Sequence, residues 1–553
     1  MLRSIALSHL RPAGTHANSR TRNSGWLRCT SFAALAALTA SVPSAARSQQ
    51  RAAYEELQTF SGVLNHIRTN YPDSVSYSEL VAAAIRGVLR SLDPHSYYVS
   101  RADETKRNAL ERGELYTVGI ALEDVEGAPT VLTVAPRSPA AKGGVLPGDR
   151  IVLVNDTAIA GLDIPTVELR LAGEKGSKVR LGVERGPRLD PDPFSVTLKR
   201  NPFEIRSVSI VRMVDSITGY IRLEEFMGKA TDEMHDGLGK LRGWHAKRII
   251  LDLRSNPGGE VVSAVDIAGE FLQKNSVVFR TRGRKRDTDT TYITRHDGDF
   301  RDIPLVVLID ERSASAAEAV AASLQDHDRA LLIGRRSFGK ALMQTDFLLP
   351  SGDYIHLTVG HVISPSGRVI QRRYQGISYE QYLSFAGKSG AAQDTTTIYK
   401  TDAGRAVRGG GGIAPDIVVP LAAPLPVWWS AAADSGFDDA VSDSVAQTLA
   451  ATPAARAAWL TAEDDWRAKL LPPFLTRVRT RLGVPAATDS LLDRRLARIL
   501  AARTAEVRWG PEGREEFLIR NDRTIRVAVE QFPRLRELLT PSAATPAPKP
   551  GPN

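Results

Sequence analysis

Cysteine, long apolar runs and a well-placed histidine are all scarce in this sequence. The only cysteine among the 553 residues is Cys29, which excludes an intramolecular disulfide and a metal site built from several thiolates. The apolar segment from Ser31 to Val42 is too short to span a bilayer. Basic and aromatic residues are not interleaved, so nucleic acid is not an expected partner. The length is sufficient for about three or four domains.

Residues 1–48 contain no acidic residue but six arginines. Together with the apolar segment and the small residues Ser44, Ala45 and Ala46, this pattern predicts a signal peptide cleaved near Ala46 or Ser48. Its removal would lower the formal net charge from +9 to +3, so the basicity is largely a targeting feature. We expect an exported protein. It would lie in the periplasm, or in the cell envelope or outside the cell if the host lacks an outer membrane.

The segment from Ile303 to Gln344 indicates an α/β unit. Leu305 to Ile309 is a short apolar run typical of a strand buried on both faces, and Ala316 to Leu324 has helical spacing. A second apolar run, Ala330 to Gly334, predicts the next strand of a parallel sheet. Ser315 therefore falls where the helix begins.

Ser315 has two interpretations. In one, its hydroxyl and the Glu318 carboxylate form a capping box that satisfies amides of the first helical turn. In the other, it is a nucleophile, and the amide of Ala316 with the helix dipole stabilises an oxyanion. The second interpretation requires a base.

Lys340 is a better base than any histidine, since His327 falls at the far end of the helix. A lysine deprotonates a serine only when neutral, so its pKa must fall from about 10.4 to about 7, as burial among apolar groups can achieve. Only Ser337 and Lys340 are polar between Ser337 and Met343. The alternative is an ordinary solvated surface lysine.

The same stretch also approximates a phosphate-binding loop. Gly334 to Ala341 nearly matches G-x-x-x-x-G-K-[ST], but Ala341 replaces the magnesium-binding hydroxyl. Ala341 to Leu349 favours a strand where that loop requires a helix. An NTPase is therefore not expected.

The whole stretch resembles the C-terminal processing peptidases, also called tail-specific proteases. The chain has Ser313-Ala-Ser-Ala-Ala-Glu318, then Phe338-Gly-Lys340 with the lysine 25 residues after Ser315, then Gln344 four residues later. The resemblance implies that Ser315 is the nucleophile, Lys340 the general base and Gln344 the residue that orients the lysine amine. Asp326 matches an aspartate with a supporting role in some members. Its alternative is a charge near a helix end.

A glycine pair forms the second part of this predicted site. Arg248 to Arg254 reads as a buried strand that ends in Ser255-Asn-Pro-Gly-Gly259. Glycines allow backbone amides to approach a substrate closely, although a tight turn after a strand would use them as well. The resemblance implies that an amide of Gly258 or Gly259 joins that of Ala316 in an oxyanion hole.

Between Gly113 and Arg200, short strands alternate with glycine and proline turns. Ser138-Pro-Ala-Ala-Lys142 and Leu146-Pro-Gly-Asp-Arg-Ile151 resemble a PDZ domain. Such domains add a chain end as a strand and receive its carboxylate in a loop of amides. The loop here comprises Thr117, Val118, Gly119 and Ile120, with Thr117 at the family's first glycine. Side chains of Ile120, Leu122, Val167 and Leu169 are pocket candidates or, alternatively, core.

The predicted fold is a multi-domain α/β chain. It has a helical N-terminal segment, a β-rich PDZ domain, an α/β catalytic core with strand-helix-strand units, and a helical C-terminal region. The predicted boundaries are 1–48 for the signal peptide, 49–112, 113–202, 203–420 and 421–540 for these four parts in order, and 541–553 for a disordered tail.

The resemblance implies an exported serine endopeptidase that works through an acyl-enzyme without metal, nucleotide or other cofactor. Its substrates would be proteins with apolar C-termini. A non-catalytic PDZ scaffold and a latent enzyme that needs an adaptor protein are the alternatives, and a fold of the acyl-CoA-binding type is a weaker one. Whether the chain forms a homo-oligomer is open.

Overall fold

We describe the chain from a computed structural model, which describes residues 44–111, 114–125, 128–135, 138–146, 148–159, 162, 164–185, 194–202, 206–377, 382, 397–422, 424–484 and 489–539. Nearly all of the predicted signal peptide, the predicted tail and much of the predicted loop between Gln371 and Arg405 lie outside these residues. The described residues form two compact units, residues 44–99 with 346–357 and residues 100–345 with 358–539. No helix in the described ranges is long and apolar enough to cross a bilayer.

The smaller unit contains two helices and a short strand. They are α1 (Ser44–Asn70), α2 (Tyr77–Leu92) and β1 (Tyr97–Val99). A capping box starts α2, with the Ser76 hydroxyl and the Glu79 carboxylate each accepting from the other residue's backbone N–H. The predicted helices are confirmed. Leu57 and Val63 of the periodic face stay 65% and 50% exposed, so the period predicts the helix but not a buried face.

The β-rich part of the larger unit follows one helix. Its elements are α3 (Arg101–Glu111), β2 (Ile120–Val125), β3 (Ala128–Val134), α4 (Pro139–Lys142), β4 (Arg150–Val154), β5 (Thr157–Ala158), α5 (Ile164–Leu171), β6 (Lys178–Glu184) and β7 (Phe194–Lys199). The strands pair antiparallel in the order β2-β3-β4-β6-β7, with β5 on β4. Leu122 and Val167 belong to the buried core of this sheet, which decides their two interpretations in favour of packing.

The α/β part of the chain follows, all of it in the larger unit except residues 346–357. Its elements are β8 (Val208–Met213), β9 (Thr218–Leu223), α6 (Ala230–Gly243), β10 (Arg248–Asp252), α7 (Val261–Gly269), β11 (Val277–Gly283), β12 (Thr290–Ile293), β13 (Leu305–Ile309), α8 (Ala316–Asp326), β14 (Leu331–Gly334), β15 (Leu342–Leu348), β16 (Tyr354–Ile363), β17 (Ile398–Lys400), β18 (Ala406–Arg408) and β19 (Ile417–Val418). One sheet has the order β19-β14-β13-β10-β9-β8, parallel except for β8. The predicted strand-helix-strand unit is β13-α8-β14.

Alternate residues of these parallel strands point to opposite faces, and both faces are buried. On one face, Ile249, Leu251 and Val307 pack in a core with residues of α6, α7 and α8. On the other face, Ile250 and Val306 pack with residues from the C-terminal part of the chain. This double burial explains why the strands read as continuous apolar runs.

The C-terminal region is helical, as predicted. Its helices are α9 (Trp428–Asp434), α10 (Phe437–Thr448), α11 (Pro453–Trp459), α12 (Glu463–Leu482), α13 (Ser490–Arg520), α14 (Arg523–Gln531) and α15 (Leu535–Leu538). The helices α9 to α13 share an apolar core of their own, and Gly510 before Pro511 interrupts α13 with non-helical dihedral angles. Beyond that bundle, Ile525, Phe532 and Leu535 cover the second face of the parallel sheet. The end of the chain is therefore a layer of the α/β core.

Candidate active site

Ser315 lies on the sharp turn between β13 and α8. Its backbone has φ 56° and ψ −115°, a conformation that costs a non-glycine residue about 1–3 kcal/mol. The capping residues Ser76, Ser138 and Thr452 instead have extended backbones and accept from an amide of the first helical turn with their side chains, the usual capping geometry. The predicted capping box of Ser315 and Glu318 is present, but the strained backbone of Ser315 departs from that of these caps and points to a further, functional role.

Glu318, three residues further along, binds the backbone around Ser315. Its carboxylate accepts from the backbone N–H of Ser315 at 3.0 Å, as the capping interpretation predicts. It also accepts from the Ser337 hydroxyl at 2.5 Å and from the backbone N–H groups of Gly339 and Lys340 at 2.6 and 2.8 Å. The Glu318 side chain thus holds the segment from Phe338 to Lys340 at the start of α8, in addition to its capping contact.

Burial raises the pKa of Glu318 to about 7, although its four donors act in the opposite direction. The residue is fully buried, so its ionised form depends on those donors. Sequence reasoning gave Glu318 only a capping role. The signal that it missed was this single acidic residue in a helix whose first seven residues, Ala316 to Ala322, are otherwise apolar.

Lys340 is partly buried and follows the buried side chain of Phe338. The position of its backbone is fixed by Glu318 and, one residue later, by the side-chain oxygen of Gln371, which accepts from Ala341 N–H at 2.7 Å. The structure therefore brings Lys340 to the same place as Ser315. Within the described ranges, no hydrogen bond joins the Ser315 hydroxyl to Lys340.

Gln344 lies on β15, four residues after Lys340. Its side-chain amide donates to the Thr358 hydroxyl on β16 at 3.4 Å. No hydrogen bond joins it to Lys340 in the part of the chain that the structure describes. Ala341 to Leu349 contains strand β15 and no helix, which confirms that the phosphate-loop pattern is a coincidence.

Of the two glycines after β10, Gly258 lies against the Ser315 turn and Gly259 against the backbone of Phe226. A Cβ on Gly258 would lie 2.7 Å from Ser315 Cβ and 2.8 Å from Ala316 N, so only glycine fits. The N–H of Gly258 donates to the Asn256 side chain at 2.8 Å. Those of Gly259 and Ala316 donate to no acceptor among the described residues. Among the described residues, each loop thus carries one amide without an acceptor, that of Ala316 next to Ser315 and that of Gly259 next to Gly258.

Asp326 lies at the opposite end of α8, an 11-residue helix about 16 Å long. Its carboxylate is fully buried and pairs with Arg368 at 2.6 Å, while Ser366 N–H donates to its other oxygen. His327 next to it contacts Asp402 and the Val277 carbonyl. The structure therefore places Asp326 in a buried ion pair, away from Ser315.

In the PDZ-like sheet, the loop from Thr117 to Ile120 leads into β2, beside α5. The carbonyls of Val118 and Gly119 accept from Ala140 and Ala135 N–H, which fixes the loop. The N–H groups of Thr117, Val118 and Gly119 donate to nothing within the described ranges. Such an arrangement suits the capture of a carboxylate.

A buried ionic network under the glycine loop was missed by sequence reasoning. Asp252 is the last residue of β10 and is fully buried. Its carboxylate accepts from the Tyr220 hydroxyl at 2.7 Å and from Nε and Nη2 of Arg254. Burial alone would raise the pKa of Asp252, but Arg254 outweighs it and the pKa lies below its ordinary value. Two charges at the end of an otherwise apolar strand were the available signal.

Comparison with known proteins agrees with this architecture. The model of peptidase family S41 matches residues 217–383, and that of the PDZ domain matches residues 130–185. In solved structures, the D1 C-terminal processing protease of photosystem II is 24% identical with a TM-score of 0.46, covering 66% of this chain and 87% of that one.

Two named relatives match more than half of the chain. The carboxy-terminal-processing protease of Bartonella bacilliformis is 33% identical over 323 residues, which are 58% of this chain and 73% of that protein. The carboxy-terminal processing protease CtpA of Bacillus subtilis is 28% identical over 308 residues, 56% of this chain and 65% of the relative. With its PDZ domain and its α/β core, the chain is a serine-type peptidase that belongs to the carboxy-terminal processing proteases of peptidase family S41.

Proposed function

We propose that the protein is an endopeptidase with a Ser315–Lys340 pair. Ser315 Oγ attacks a substrate carbonyl while neutral Lys340 accepts its proton and passes it to the leaving amine. A water molecule then hydrolyses the acyl-enzyme. The observation that carries this proposal is the shared Glu318 carboxylate, which brings the backbones of Ser315 and Lys340 together.

The unpaired amides of Gly259 and Ala316 supply the oxyanion hole in this mechanism. Fixed donors at the position of a developing negative charge are worth about 3–4 kcal/mol each in comparable sites. Because the Gly258 amide is already engaged by Asn256, we assign this function to Gly259 rather than to its neighbour. The side chain of Gln344 would give up its hydrogen bond with Thr358 and orient the lysine amine instead.

Substrate recognition is assigned to the PDZ domain. The loop from Thr117 to Ile120 would receive the terminal carboxylate, and β2 would pair with the last residues of the substrate. Substrates are then proteins with apolar C-terminal ends. We further propose that the protein is exported, in keeping with the acid-free, arginine-containing segment that precedes residue 49.

A latent form of the enzyme is the second candidate. It is favoured because, among the described residues, neither the Ser315 hydroxyl nor the Gln344 side chain forms a hydrogen bond with Lys340. Catalytic hydrogen bonds are often long without substrate and tighten in the complex, so the same observation fits an active enzyme as well. Occupation of the PDZ domain or an adaptor protein would complete the site in the latent form.

The test is the cleavage of an unfolded protein with an apolar C-terminus, with EDTA present. The parent is compared with Ser315→Ala and Lys340→Ala, and with Ser313→Ala and the exposed Lys274→Ala as matched controls. Because the buried Ser313 hydroxyl donates to the Leu253 carbonyl, activity is compared per folded molecule. We expect it to disappear in the first pair and to persist in the second.

Trapping identifies the nucleophile independently. Mass spectrometry of the acyl-enzyme at low pH should locate the modification on the peptide containing Ser315. An inactive parent that becomes active when a second tail peptide is added supports the latent form. Equal activity in all five proteins would show that the assigned pair is wrong.

A further inference from the structure

The guanidinium group of Arg254 connects two parts of the chain that lie 268 residues apart. Nε and Nη2 bind Asp252, with the Nη2 contact at 2.6 Å, and Nη1 donates to Asp522 at 2.8 Å. Asp522 belongs to the C-terminal region, outside the residues matched by the peptidase model. One side chain therefore links that region to the end of β10.

Arg254 is also the second residue after β10 on the way to the glycine pair. The loop behind it is held at each step: Ser255 N–H donates to Asp310, the Asn256 amide donates to the Leu223 carbonyl, and the Asn256 oxygen accepts from Gly258 N–H. The Asn256 carbonyl accepts from Ala314 N–H, next to Ser315. A short, hydrogen-bonded loop thus connects Arg254 to Gly259.

Asp522 is itself rigidly placed. It is the N-cap of α14, and its other oxygen accepts from the N–H groups of Thr524 and Ile525 at 2.7 and 2.9 Å. The helix buries Ile525 against the parallel sheet, and the following Phe532 ring lies 4.8 Å from the Arg248 guanidinium. The carboxylate that meets Arg254 is therefore fixed by the same sheet that carries the loop.

We propose that Asp522 is a positioning residue for the oxyanion hole. By binding Nη1 it fixes the Arg254 guanidinium against Asp252, and this holds the loop so that Gly259 N–H faces the oxygen that becomes negative. The inference rests on the proposed function and assigns the C-terminal helices a part in catalysis. Without that carboxylate, the guanidinium keeps Asp252 but loses its contact with the C-terminal region.

This role has a specific kinetic signature. A donor in the oxyanion hole acts on charge that is present in the transition state and much less in the bound substrate. Misplacing Gly259 N–H should therefore lower kcat and leave KM nearly unchanged. A general loss of packing would instead lower the amount of folded enzyme.

The experiment compares Asp522→Asn with Asp489→Asn in the full-length chain. Asn is a good N-cap residue, so both variants keep their helix starts. Asp489 caps α13 through the N–H groups of Leu491 and Leu492 in the same C-terminal region, which makes it the matched control. We expect kcat to fall about ten- to hundredfold in Asp522→Asn and to stay within about twofold in the control, with KM unchanged in both.

A second readout is inhibition by a peptide aldehyde, whose hemiacetal oxygen with Ser315 would occupy the oxyanion hole. Its Ki should rise in Asp522→Asn by about the factor lost in kcat. Binding of an uncleaved substrate peptide by the Ser315→Ala, Asp522→Asn double variant should match that of Ser315→Ala. Asp522→Ser, which also retains a capping side chain, should repeat the pattern if the first variant folds poorly.

The outcomes separate this inference from the proposed function. If Ser315→Ala is as active as the parent, the serine-lysine mechanism fails. If Ser315→Ala is inactive but Asp522→Asn equals Asp489→Asn in kcat and in Ki, only the role of Asp522 fails. A loss of kcat in both Asp522 variants that merely follows their folded fraction overturns it as well.

Discussion

The backbone N–H groups of Ser315 and Lys340 donate to the same carboxylate oxygen, Oε2 of Glu318, at 3.0 and 2.8 Å. Their nitrogens therefore lie closer together than the sum of these two distances. The other oxygen of Glu318 accepts from Ser337 and Gly339. A single buried acid thus fixes the geometry of the proposed catalytic pair.

Replacement of Glu318 by glutamine should lower kcat/KM by about a hundredfold, since the amide NH₂ would face donors in place of an acceptor and a misplacement of about 1 Å costs about that much. Steady-state cleavage of a tail peptide measures it. Glu311→Gln is the control, because Glu311 lies in the same turn but pairs with Arg335. Equal losses in the two variants would contradict a specific role for Glu318.

The ionisation of Glu318 should be visible in the pH dependence of the free energy of unfolding. Because its pKa is raised from 4.5 to about 7, the native state holds a proton that the unfolded chain has released between these two values. The residue therefore makes the free energy of unfolding fall as pH rises through this window, by up to about 3 kcal/mol. Thermal unfolding at several pH values should show a flatter profile for Glu318→Gln than for the parent.

Activity should change with pH in the opposite direction. Only the ionised carboxylate accepts from all four donors, so kcat/KM should rise as pH increases through about 7. The proposed mechanism also needs a neutral Lys340, and comparison with Glu318→Gln isolates the contribution of the acid. If kcat/KM falls towards low pH as strongly in Glu318→Gln as in the parent, this assignment is wrong.

Gly258→Ala should abolish activity through a steric clash. The new Cβ would lie 2.7 Å from Ser315 Cβ and would push the serine from its place. Gly367→Ala is matched to it, since Gly367 has φ 90° against 99° for Gly258 but nothing within 4 Å of its Cβ position. Both variants carry the cost of a positive φ, and only Gly258→Ala should lose kcat. Circular dichroism and cleavage assays distinguish the two effects.

Asp326→Asn should affect stability rather than catalysis. Asp326 and Arg368 are both buried, with side chains 0% and 1% exposed, and removal of one partner from such a pair costs about 3–5 kcal/mol. Denaturant unfolding should show this loss, while kcat per folded molecule should not change. Asp402→Asn, at an exposed pair with His327, should have little effect on either. A selective loss of kcat would restore the supporting catalytic role.

The PDZ loop should discriminate between a free carboxylate and an amide. Because the N–H groups of residues 117–119 have no acceptor in the described ranges, they should bind a peptide with a free C-terminus at least about tenfold more tightly than its amidated form. Calorimetry on the Ser315→Ala variant avoids cleavage during the titration. Equal affinities would place the recognition of chain ends elsewhere.

Local sequence was sufficient for the main elements of the catalytic sheet. The apolar run from Leu305 to Ile309 is strand β13 at the same bounds, and the helix predicted from Ala316 to Leu324 runs two residues further. These elements were predictable because burial on both faces leaves a continuous apolar run, and helical packing leaves a 3.6-residue period. The site assignments made from motif spacing stay predictions.

Sequence alone determined which residues are chemically equipped for the reaction: a serine at a helix start, a lysine among apolar neighbours and a glycine pair after a strand. Only the tertiary structure decided how they meet, since contacts between distant segments leave no local period. It showed that Glu318 joins Ser315 to Lys340, that the Gly259 amide is unpaired while that of Gly258 is engaged, and that Asp522 reaches Arg254. Each of these depends on hydrogen-bond directions set by packing, which spacing along the chain does not encode.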